Sequence, residues 1–342
     1  MKKASLYKKL SDNQVKCLAC NHQCLISDNK AGFCGVRQNK NGELYLMVYN
    51  YPAAVNIDPV EKKPLFHFYP GSLALSLGTV GCNFSCDFCQ NWDISQAPKS
   101  PDFIGRTLNL WGELWPPRKI INYCQNNQIS IIAYTYNEPT IWIEYACEIM
   151  KLAKQEKIKN VWVSNGFMSA QSLELILPYL DAINIDLKSF REEFYTEICK
   201  GRLEPIKENI KKLWETGIWE EITTLIIPDL NDSDKELTSI AKFLADISSD
   251  LVWHISAFYP AYKMNHKSST PHETLLRAYN IGRQAGLRYV YTGNIPNEEL
   301  ESTYCPNCGT KVIERWGIDL IENRLVGDKC QRCGYKIAGR FD

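Results

Sequence analysis

Long apolar segments are missing from this sequence. No run of about 18 apolar residues occurs, so we expect no membrane-spanning helix. The basic start, Met1-Lys2-Lys3, leads into polar residues rather than an apolar core, so we expect no signal peptide and a cytoplasmic protein. Neither sign of charge is in excess, because Lys plus Arg and Asp plus Glu each number 39. We therefore expect neither a membrane nor a nucleic acid as a partner.

Cysteine, in contrast, is abundant and clustered. The 14 cysteines include four in 17–34, three in 82–89 and four in 305–333. Short-range cysteine pairs in a chain without a predicted signal peptide are typical of metal sites rather than disulfides. The remaining Cys124, Cys147 and Cys199 lie in helical patterns, where we expect small buried apolar side chains.

Residues 81–91 contain the most specific motif, Cys82-x3-Cys86-x2-Cys89. Three thiolates on one short loop can hold three irons of a [4Fe–4S] cluster, whereas four thiolates would close it. The open iron could then chelate the amino and carboxylate groups of S-adenosylmethionine (SAM), with Phe88 stacked on the adenine. A zinc knuckle with a fourth ligand elsewhere is the alternative. The spacing resembles that of the radical SAM superfamily.

Between residues 73 and 292, apolar strands alternate with amphipathic helices. This order predicts a parallel sheet with right-handed crossovers. We expect an α/β fold built on a partial (β/α)6 barrel of the radical SAM type, with small Cys-rich metal-binding modules at both ends. The predicted domains are 1–70, a metal-binding module with its lead-in segment, 71–296, the barrel, and 297–342, a zinc-ribbon or rubredoxin-like module.

Functional residues in such folds collect at the carboxyl ends of the strands. The polar residues that we expect there are Asn137, Glu138, Ser164, Asn165, Asp186, Lys188 and His254. We expect Glu138 to accept hydrogen bonds from the SAM ammonium, and Ser164 and Asn165 to reach its ribose. Asp186 and Lys188 point the same way along a strand, so Lys188 can pair with the SAM carboxylate while Asp186 orients it.

A cysteine-rich module precedes the barrel and contains Cys17, Cys20, Cys24, Cys34 and His22. Because it has too few apolar residues for a core of its own, a metal must hold it together. The cysteines suit zinc or a second iron–sulfur cluster, with zinc favoured as a structural staple and His22 as a polar neighbour. We hypothesise that the module lines the substrate entrance. The alternative is a structural metal site at the periphery, on the other face of the barrel.

A second cysteine-rich module follows the barrel. Cys305-x2-Cys308 and Cys330-x2-Cys333, each followed by glycine, make a complete four-cysteine site. A zinc ribbon is favoured. A rubredoxin-like iron that relays electrons is the alternative, because an all-thiolate tetrahedral site accepts either metal.

The barrel motifs resemble those of the pyruvate formate-lyase activating-enzyme group of radical SAM proteins. The resemblance implies that Asp186 and Lys188 correspond to the Asp-x-Lys motif of that group and His254 to its strand histidine. The Gly-Gly-Glu motif that binds the SAM amino group there is Tyr136-Asn137-Glu138 here, so the glutamate matches and the glycines do not.

Over its whole length, the chain resembles the radical SAM component of the AmmeMemoRadiSam system. The resemblance is carried by the cysteine motif of 17–24, Cys34-Gly-Val-Arg37, the segments 58–64 and 67–71, and the loop 81–96. It implies an association with a Memo-like and an AMMECR-like protein.

Together these observations predict an enzyme that reductively cleaves SAM at a [4Fe–4S] cluster and starts radical chemistry on an unidentified substrate. Cys82, Cys86 and Cys89 are the predicted catalytic residues. Such an enzyme requires an environment low in oxygen and a reductant such as ferredoxin or flavodoxin. Two other functions stay open, namely activation of a glycyl-radical enzyme and a non-enzymatic cysteine-rich scaffold.

Overall fold

A computed structural model describes residues 1–99, 112–295 and 297–342. The first 50 residues form two small antiparallel sheets, each with three strands. Their strands are β1 (Lys2–Lys3), β2 (Tyr7–Lys9), β3 (Val15–Cys17), β4 (Leu25–Ile26), β5 (Arg37–Lys40) and β6 (Glu43–Leu46). Strand order is β1-β6-β5 in one sheet and β2-β3-β4 in the other.

An eight-stranded sheet forms the centre of the protein. Its strands are β7 (Ala54–Pro59), β8 (Leu73–Gly78), β9 (Ile131–Tyr134), β10 (Lys159–Ser164), β11 (Ala182–Asp186), β12 (Trp219–Ile226), β13 (Val252–Ala257) and β14 (Val290–Gly293). They lie side by side in chain order, with β8 to β14 parallel and β7 antiparallel to β8. Helices cover the outer face, as the apolar character of both strand faces requires. The predicted α/β barrel is confirmed.

The edge strand β7 ends in a proline, Pro59. Proline is tolerated there because it ends an edge strand, where no neighbour needs its missing N–H.

Helices lie in the connections between successive parallel strands and after the last of them. They are α1 (Trp92–Ser95), α2 (Pro117–Asn126), α3 (Ile143–Gln155), α4 (Ala170–Ile176), α5 (Glu204–Glu215), α6 (Asp234–Ile247), α7 (His272–Gln284) and α8 (Glu298–Glu301). Short 3-10 helices span Val60–Lys62, Ala97–Lys99, Pro139–Trp142, Leu177–Tyr179 and Tyr262–Met264, and a π-helix spans Phe194–Cys199. Ser169 and Ser233 cap α4 and α6 with their side chains. None of the helices in the described ranges has the length and apolar content needed to cross a membrane.

The C-terminal module closes the amino ends of the barrel strands. Its strands are β15 (Thr303–Tyr304), β16 (Lys311–Trp316), β17 (Asp319–Asn323), β18 (Leu325–Val326) and β19 (Lys329–Cys330). Val312 and Ile313 share a buried cluster with Trp219 and Val252, which lie at the amino ends of β12 and β13. The carboxyl ends of the strands are thereby left as the open face of the barrel.

Candidate active site

The loop after β8 carries Cys82, Cys86 and Cys89, and its entry depends on a glycine. Gly81 has a φ of +91°, and a Cβ at this position would lie 2.6 Å from the carbonyl oxygen of Cys34. Only glycine combines this backbone conformation with such a close approach. The N-terminal module therefore packs directly against the start of the cysteine loop.

The π-helix supports the other side of this loop. The Ser85 N–H donates to the Cys199 carbonyl over 2.9 Å. The ring of Phe84 is buried, and its centre lies 6.2 Å from that of the Tyr195 ring. Cys199 is fully buried, as predicted, and its thiol lies beside that of Cys86, where it raises the pKa of Cys86 together with burial. This contact was not predictable from the sequence, because π-helices are rare and carry no distinctive pattern.

Hydrogen bonds within the loop stabilise the deprotonated form of its buried thiols, which is the form that binds a metal. Burial raises the pKa of the Cys82 and Cys89 thiols. The Phe84 N–H donates to Cys82 Sγ over 3.4 Å, and the Ser95 hydroxyl lies 3.1 Å from Cys89 Sγ. Both donors favour negative charge on sulfur, so a metal that displaces the protons finds its ligands already stabilised.

A cavity of about 450 Å³ opens beside the loop at the carboxyl ends of the strands. This size is typical of small-molecule sites. The predicted residues that line it are Cys86, Phe88, Cys89, Asn137, Asn165, Asp186 and Lys188. The cavity therefore brings together cysteines of the loop and polar residues from three different strand ends.

Two lysines place positive charge on the cavity wall. Lys188 Nζ lies 2.9 Å from the Asp186 carboxylate and 5.7 Å from the centre of the Phe88 ring. Burial alone would lower the pKa of Lys188, but the Asp186 carboxylate raises it well above its usual range. Lys63, which the sequence did not single out, is buried and contacts Asp58 at 2.6 Å. The cavity thus suits an anionic group such as a carboxylate.

Two asparagines shape the cavity with their amides. Asn137 donates from Nδ2 to the carbonyls of Thr79 and Gly81, at 2.7 Å each, and so ties the end of β9 to the cysteine loop. Asn165 donates from Nδ2 to Asn83 Oδ1 over 2.7 Å. Both contacts fix neighbouring strand ends relative to the loop.

Glu138 and Ser164 lie close together but do not line this cavity. Glu138 is fully buried, and its carboxylate accepts from the Thr140 N–H (3.0 Å), the Ser164 hydroxyl (3.0 Å) and the Asn165 N–H (2.8 Å). Its side chain caps the 3-10 helix that precedes α3, because the buried N–H groups at this turn need an acceptor. The structure gives Glu138 and Ser164 these internal partners, and their expected contacts with SAM stay a prediction.

His254 also lies away from this cavity. It borders a second cavity of about 380 Å³, here called the side chamber. The side chamber is lined by Glu61, Lys62, Pro64, Phe66, His254, Ser256, Thr292, Gly293, Asn294, Ile295, Glu301, Gly317 and Ile318. His254 Nε2 lies 2.6 Å from Glu221, and Phe66 packs edge-on against its ring at 4.7 Å. This pairing turns the imidazole toward the barrel interior rather than toward the cysteine loop.

Several lining residues were not predicted from the sequence. They are Lys62, Lys63, Pro64, Thr135, Tyr136, Val163, Thr223, Leu225, Ser256 and Asn294, with Phe84, Gln90, Asn91 and Ser95 from the loop region. Ser256 could have been found, because it lies two residues after His254 and shares its strand face. Thr223 is the register partner of Asp186, and that register is not readable from the sequence.

The N-terminal cysteines converge behind the loop. Cys17, Cys20, Cys24 and Cys34 all border one small apolar space, which Asn83 of the loop also borders. His22 donates from Nε2 to the Asn83 carbonyl over 2.7 Å, as expected of a polar neighbour. No residue of 1–50 lines the 450 Å³ cavity, whereas Lys62, Lys63 and Pro64 of the lead-in segment do. The hypothesis that the N-terminal unit lines the substrate entrance therefore stays a prediction, and it depends on this segment.

The C-terminal cysteines form a compact tetrad. Cys305 and Cys333 have sulfurs 3.6 Å apart, Cys308 and Cys330 have sulfurs 3.8 Å apart, and all four lie within 4.8 Å of one another. Across the described residues, no other His, Cys, Asp or Glu side chains form a group of this kind. The tetrad belongs to the module at the amino ends of the strands, opposite the cysteine loop.

Comparison with known families identifies the barrel. A sequence model for the Radical SAM superfamily matches residues 76–244, which span β8 to α6 and include the cysteine loop. The chain belongs to the radical SAM superfamily. Membership implies a [4Fe–4S] cluster, SAM and a source of electrons, so the protein is a SAM-dependent enzyme.

Two curated relatives come from Methanocaldococcus jannaschii. A protein described as uncharacterized is 41% identical over 340 residues, covering 98% of this chain and 99% of its own. A putative glycyl-radical enzyme activating enzyme is 31% identical over 212 residues, covering 60% of this chain and 76% of its own. Among solved structures, Streptococcus suis SuiB bound to SAM is similar, with a TM-score of 0.50, 13% identity, and coverage of 69% of this chain and 53% of SuiB. That likeness shows a shared fold.

Proposed function

We propose that this radical SAM enzyme cleaves SAM reductively and starts radical chemistry on a further substrate. The observation that carries the proposal is that Cys86 and Cys89 meet the fixed cation Lys188 at one 450 Å³ cavity. Cys82, on the same loop, packs against the core beside them. When bound, the cluster and SAM supply a one-electron reduction that breaks a C–S bond and yields a carbon radical. The residues present fit this group, because three thiols on one loop hold three irons and leave one open.

The other residues of the cavity would bind and orient SAM. Lys188 would attract its carboxylate, held in place by Asp186, and Phe88 would offer its ring to the adenine. Asn165 would contact the ribose from the end of β10. Glu138 would act indirectly, by fixing the backbone of the strand ends that face SAM.

Anaerobic reconstitution tests this function directly. The reduced wild-type protein should form 5′-deoxyadenosine, and addition of SAM should change the EPR spectrum of the reduced cluster. A fully reconstituted protein that neither binds nor cleaves SAM would contradict the proposal.

We further propose that the enzyme is of the AmmeMemoRadiSam type. The motifs at the N-terminus, in the lead-in segment and around the cysteine loop support this assignment. Memo-like and AMMECR-like proteins should then copurify with the enzyme under anaerobic conditions. A reductant such as ferredoxin or flavodoxin should supply the electron.

Activation of a glycyl-radical enzyme is the second candidate function. It is favoured by the name of the 31% identical relative and by Asp186 and Lys188. A glycyl-radical EPR doublet on a partner protein would support activation, whereas a modified small molecule formed with 5′-deoxyadenosine would support direct modification. A protein without iron and labile sulfide would instead be a scaffold.

The two outer modules are proposed to hold different metals. A zinc ion about 2.3 Å from each sulfur places those sulfurs about 3.8 Å apart. The C-terminal sulfur distances of 3.6 and 3.8 Å fit one tetrahedral metal ion, and the position opposite the cavity supports a structural zinc rather than an electron-relaying iron. The N-terminal cysteines face a shared apolar space without forming such a compact group. Because these four cysteines do not form such a group, we infer a second iron–sulfur cluster here rather than the zinc that the sequence favoured.

A further inference from the structure

The N-terminal module is basic, although the chain as a whole is neutral. Residues 1–50 contain eight Lys and Arg against three Asp and Glu, a net charge of +5, whereas each class numbers 39 in the full chain. Four of the eight cations are paired with carboxylates, namely Lys2, Lys3, Lys9 and Arg37. Within the residues that the structure describes, no carboxylate pairs with Lys8, Lys16 or Lys30. The module therefore has positive charge to offer to a partner.

Two of these free lysines lie on one outward face of the sheet β2-β3-β4. The strand register places Lys8 opposite Lys16 and Lys16 opposite Leu25, so the three side chains share a face. Cys17 and Ile26 alternate with them and are buried, whereas Leu25 is 68% exposed. This outward row of Lys8, Lys16 and Leu25, here called the basic face, combines two cations with an apolar side chain.

The basic face lies over the N-terminal cysteine site. Cys17 follows Lys16 in β3 and borders the small apolar space that the four N-terminal cysteines share. Asn83, the neighbour of Cys82 in the cysteine loop, borders the same space and accepts the hydrogen bond from His22. A protein docked on the basic face is thus connected to the cysteine loop through the N-terminal cysteines.

A lysine also joins the two cysteine sites. Lys99 Nζ donates to the Phe84 carbonyl of the loop over 2.6 Å and lies 4.4 Å from the centre of the Phe33 ring, next to Cys34. Burial lowers the pKa of Lys99, and thiolates of both sites, those of Cys82 and Cys34 first, oppose this effect. A positive charge near both sites stabilises the more negative, reduced state of a metal cluster.

A partner on the basic face would leave the other side of the cysteine loop free. No residue of the first 50 borders the 450 Å³ cavity where SAM is proposed to bind. A reductant at the N-terminal module and a substrate at the cavity can therefore be bound at the same time. Electron-transfer complexes are transient and bury less than about 1,200 Å², so a small sheet offers enough surface for one.

We propose that the basic face is the docking surface for an acidic ferredoxin. Carboxylates of the ferredoxin would pair with Lys8 and Lys16, and Leu25 would form the apolar centre of the contact. In each transfer the ferredoxin is oxidised and the enzyme reduced by one electron, with no bond formed or broken. This inference rests on the proposed function, because a reductant is needed only if a cluster is reduced.

Calorimetric binding of a plant-type [2Fe–2S] ferredoxin to the reconstituted enzyme tests the docking surface. Wild type should bind it more weakly when the ionic strength rises from about 0.1 to about 1 M, because the Debye length falls from about 10 to about 3 Å. Lys8→Glu/Lys16→Glu should weaken binding about tenfold at low salt, because two contact charges are reversed. The matched control Lys235→Glu/Lys242→Glu, with the same charge change at exposed positions of α6, should keep the wild-type affinity.

Reduction kinetics separate docking from SAM chemistry. Pre-reduced ferredoxin below saturation should reduce Lys8→Glu/Lys16→Glu about tenfold more slowly than wild type, whereas dithionite should reduce both equally fast. A wild type that binds no ferredoxin, unchanged affinity in Lys8→Glu/Lys16→Glu, or equal losses in the two double variants would overturn the proposal. If the dithionite-reduced enzyme does not cleave SAM but lysine-dependent binding persists, the proposed function falls while the docking surface stands. Retention of iron and of the thermal midpoint shows that each variant is folded.

Discussion

The two outer cysteine modules contain the same number of thiols but differ in geometry and position. The C-terminal sulfurs approach to 3.6 and 3.8 Å and lie at the amino ends of the barrel strands. The N-terminal cysteines surround an apolar space that Asn83 of the cysteine loop also borders. The number of cysteines alone therefore does not identify a metal centre. The spacing of the sulfurs and the position of the site relative to the cavity are needed as well.

Loss of the loop cysteines should have the largest effect. Cys86→Ala should abolish SAM cleavage and lower the iron content by about four per chain, because two thiols cannot hold the cluster. Cys199→Ala is the matched control, since its thiol touches that of Cys86 but lies outside the predicted ligand set. Iron analysis and 5′-deoxyadenosine assays measure both. Equal losses in the two variants would show that Cys199 is a ligand.

Single substitutions in the outer modules should separate their metals. Cys20→Ser should lose about four iron atoms and keep zinc, whereas Cys308→Ser should lose zinc and keep its iron. In both variants the SAM-dependent EPR signal should persist, because the loop is unchanged. Loss of zinc from Cys20→Ser would restore the zinc interpretation of the N-terminal module.

A buried ion pair should make the N-terminal module sensitive to mutation. Arg37 donates to both carboxylate oxygens of Glu144, at 2.7 and 2.8 Å, and both side chains are buried. Arg37→Ala should lower the free energy of unfolding by about 3–5 kcal/mol, because it leaves Glu144 charged and unpaired. The exposed pair of Lys2 and Glu148 is the control, and Lys2→Ala should cost less than about 1 kcal/mol. Anaerobic denaturant unfolding would measure both, and similar values would contradict this account.

Acid should weaken the contact between the C-terminal module and the barrel. Burial lowers the pKa of His67, which contacts Ala338, to about 4. The unfolded chain, with a histidine pKa of about 6.5, takes up the proton first as the pH falls. His67 thus contributes stability above pH 6.5 that is lost toward pH 4, by about 3 kcal/mol in total.

Thermal midpoints measured from pH 7 to pH 4 would show this loss. His67→Gln should flatten the pH dependence, and the exposed His266→Asn should leave it unchanged. Parallel profiles for wild type and His67→Gln would mean that another group causes the acid sensitivity.

The smallest expected effect concerns SAM affinity. Lys188→Met should weaken SAM binding at least about tenfold, since it removes a fixed positive charge from the cavity while keeping a similar length. Iron content should be unchanged. Wild-type affinity in this variant would show that Lys188 does not contact SAM.

Much of the barrel was predictable because its signals are local. Strand and helix periodicity gave the order of elements, and the cysteine spacing gave the loop. The positions of Phe88, Asp186 and Lys188 on one cavity followed from the rule for strand ends. The domain limits at 70 and 296 stay predictions, and the pairing of β7 with β8 attaches 54–59 to the barrel sheet.

Side-chain direction at the strand ends was not predictable. Glu138 lies at a strand end, yet its carboxylate turns inward to satisfy buried N–H groups. His254 pairs with Glu221, which is distant in sequence and next to it only through the sheet register. The side chamber likewise depends on Glu61, Thr292 and Ile318, three residues that only the folded chain brings together.

Labile sulfide and zinc per chain provide the most direct test of the difference between the three cysteine sites. Anaerobically reconstituted wild type should contain about eight sulfides and one zinc per chain. The triple variant Cys82→Ala/Cys86→Ala/Cys89→Ala should keep about four sulfides and one zinc. About four sulfides and two zinc ions in wild type, with no sulfide in the triple variant, would contradict the account.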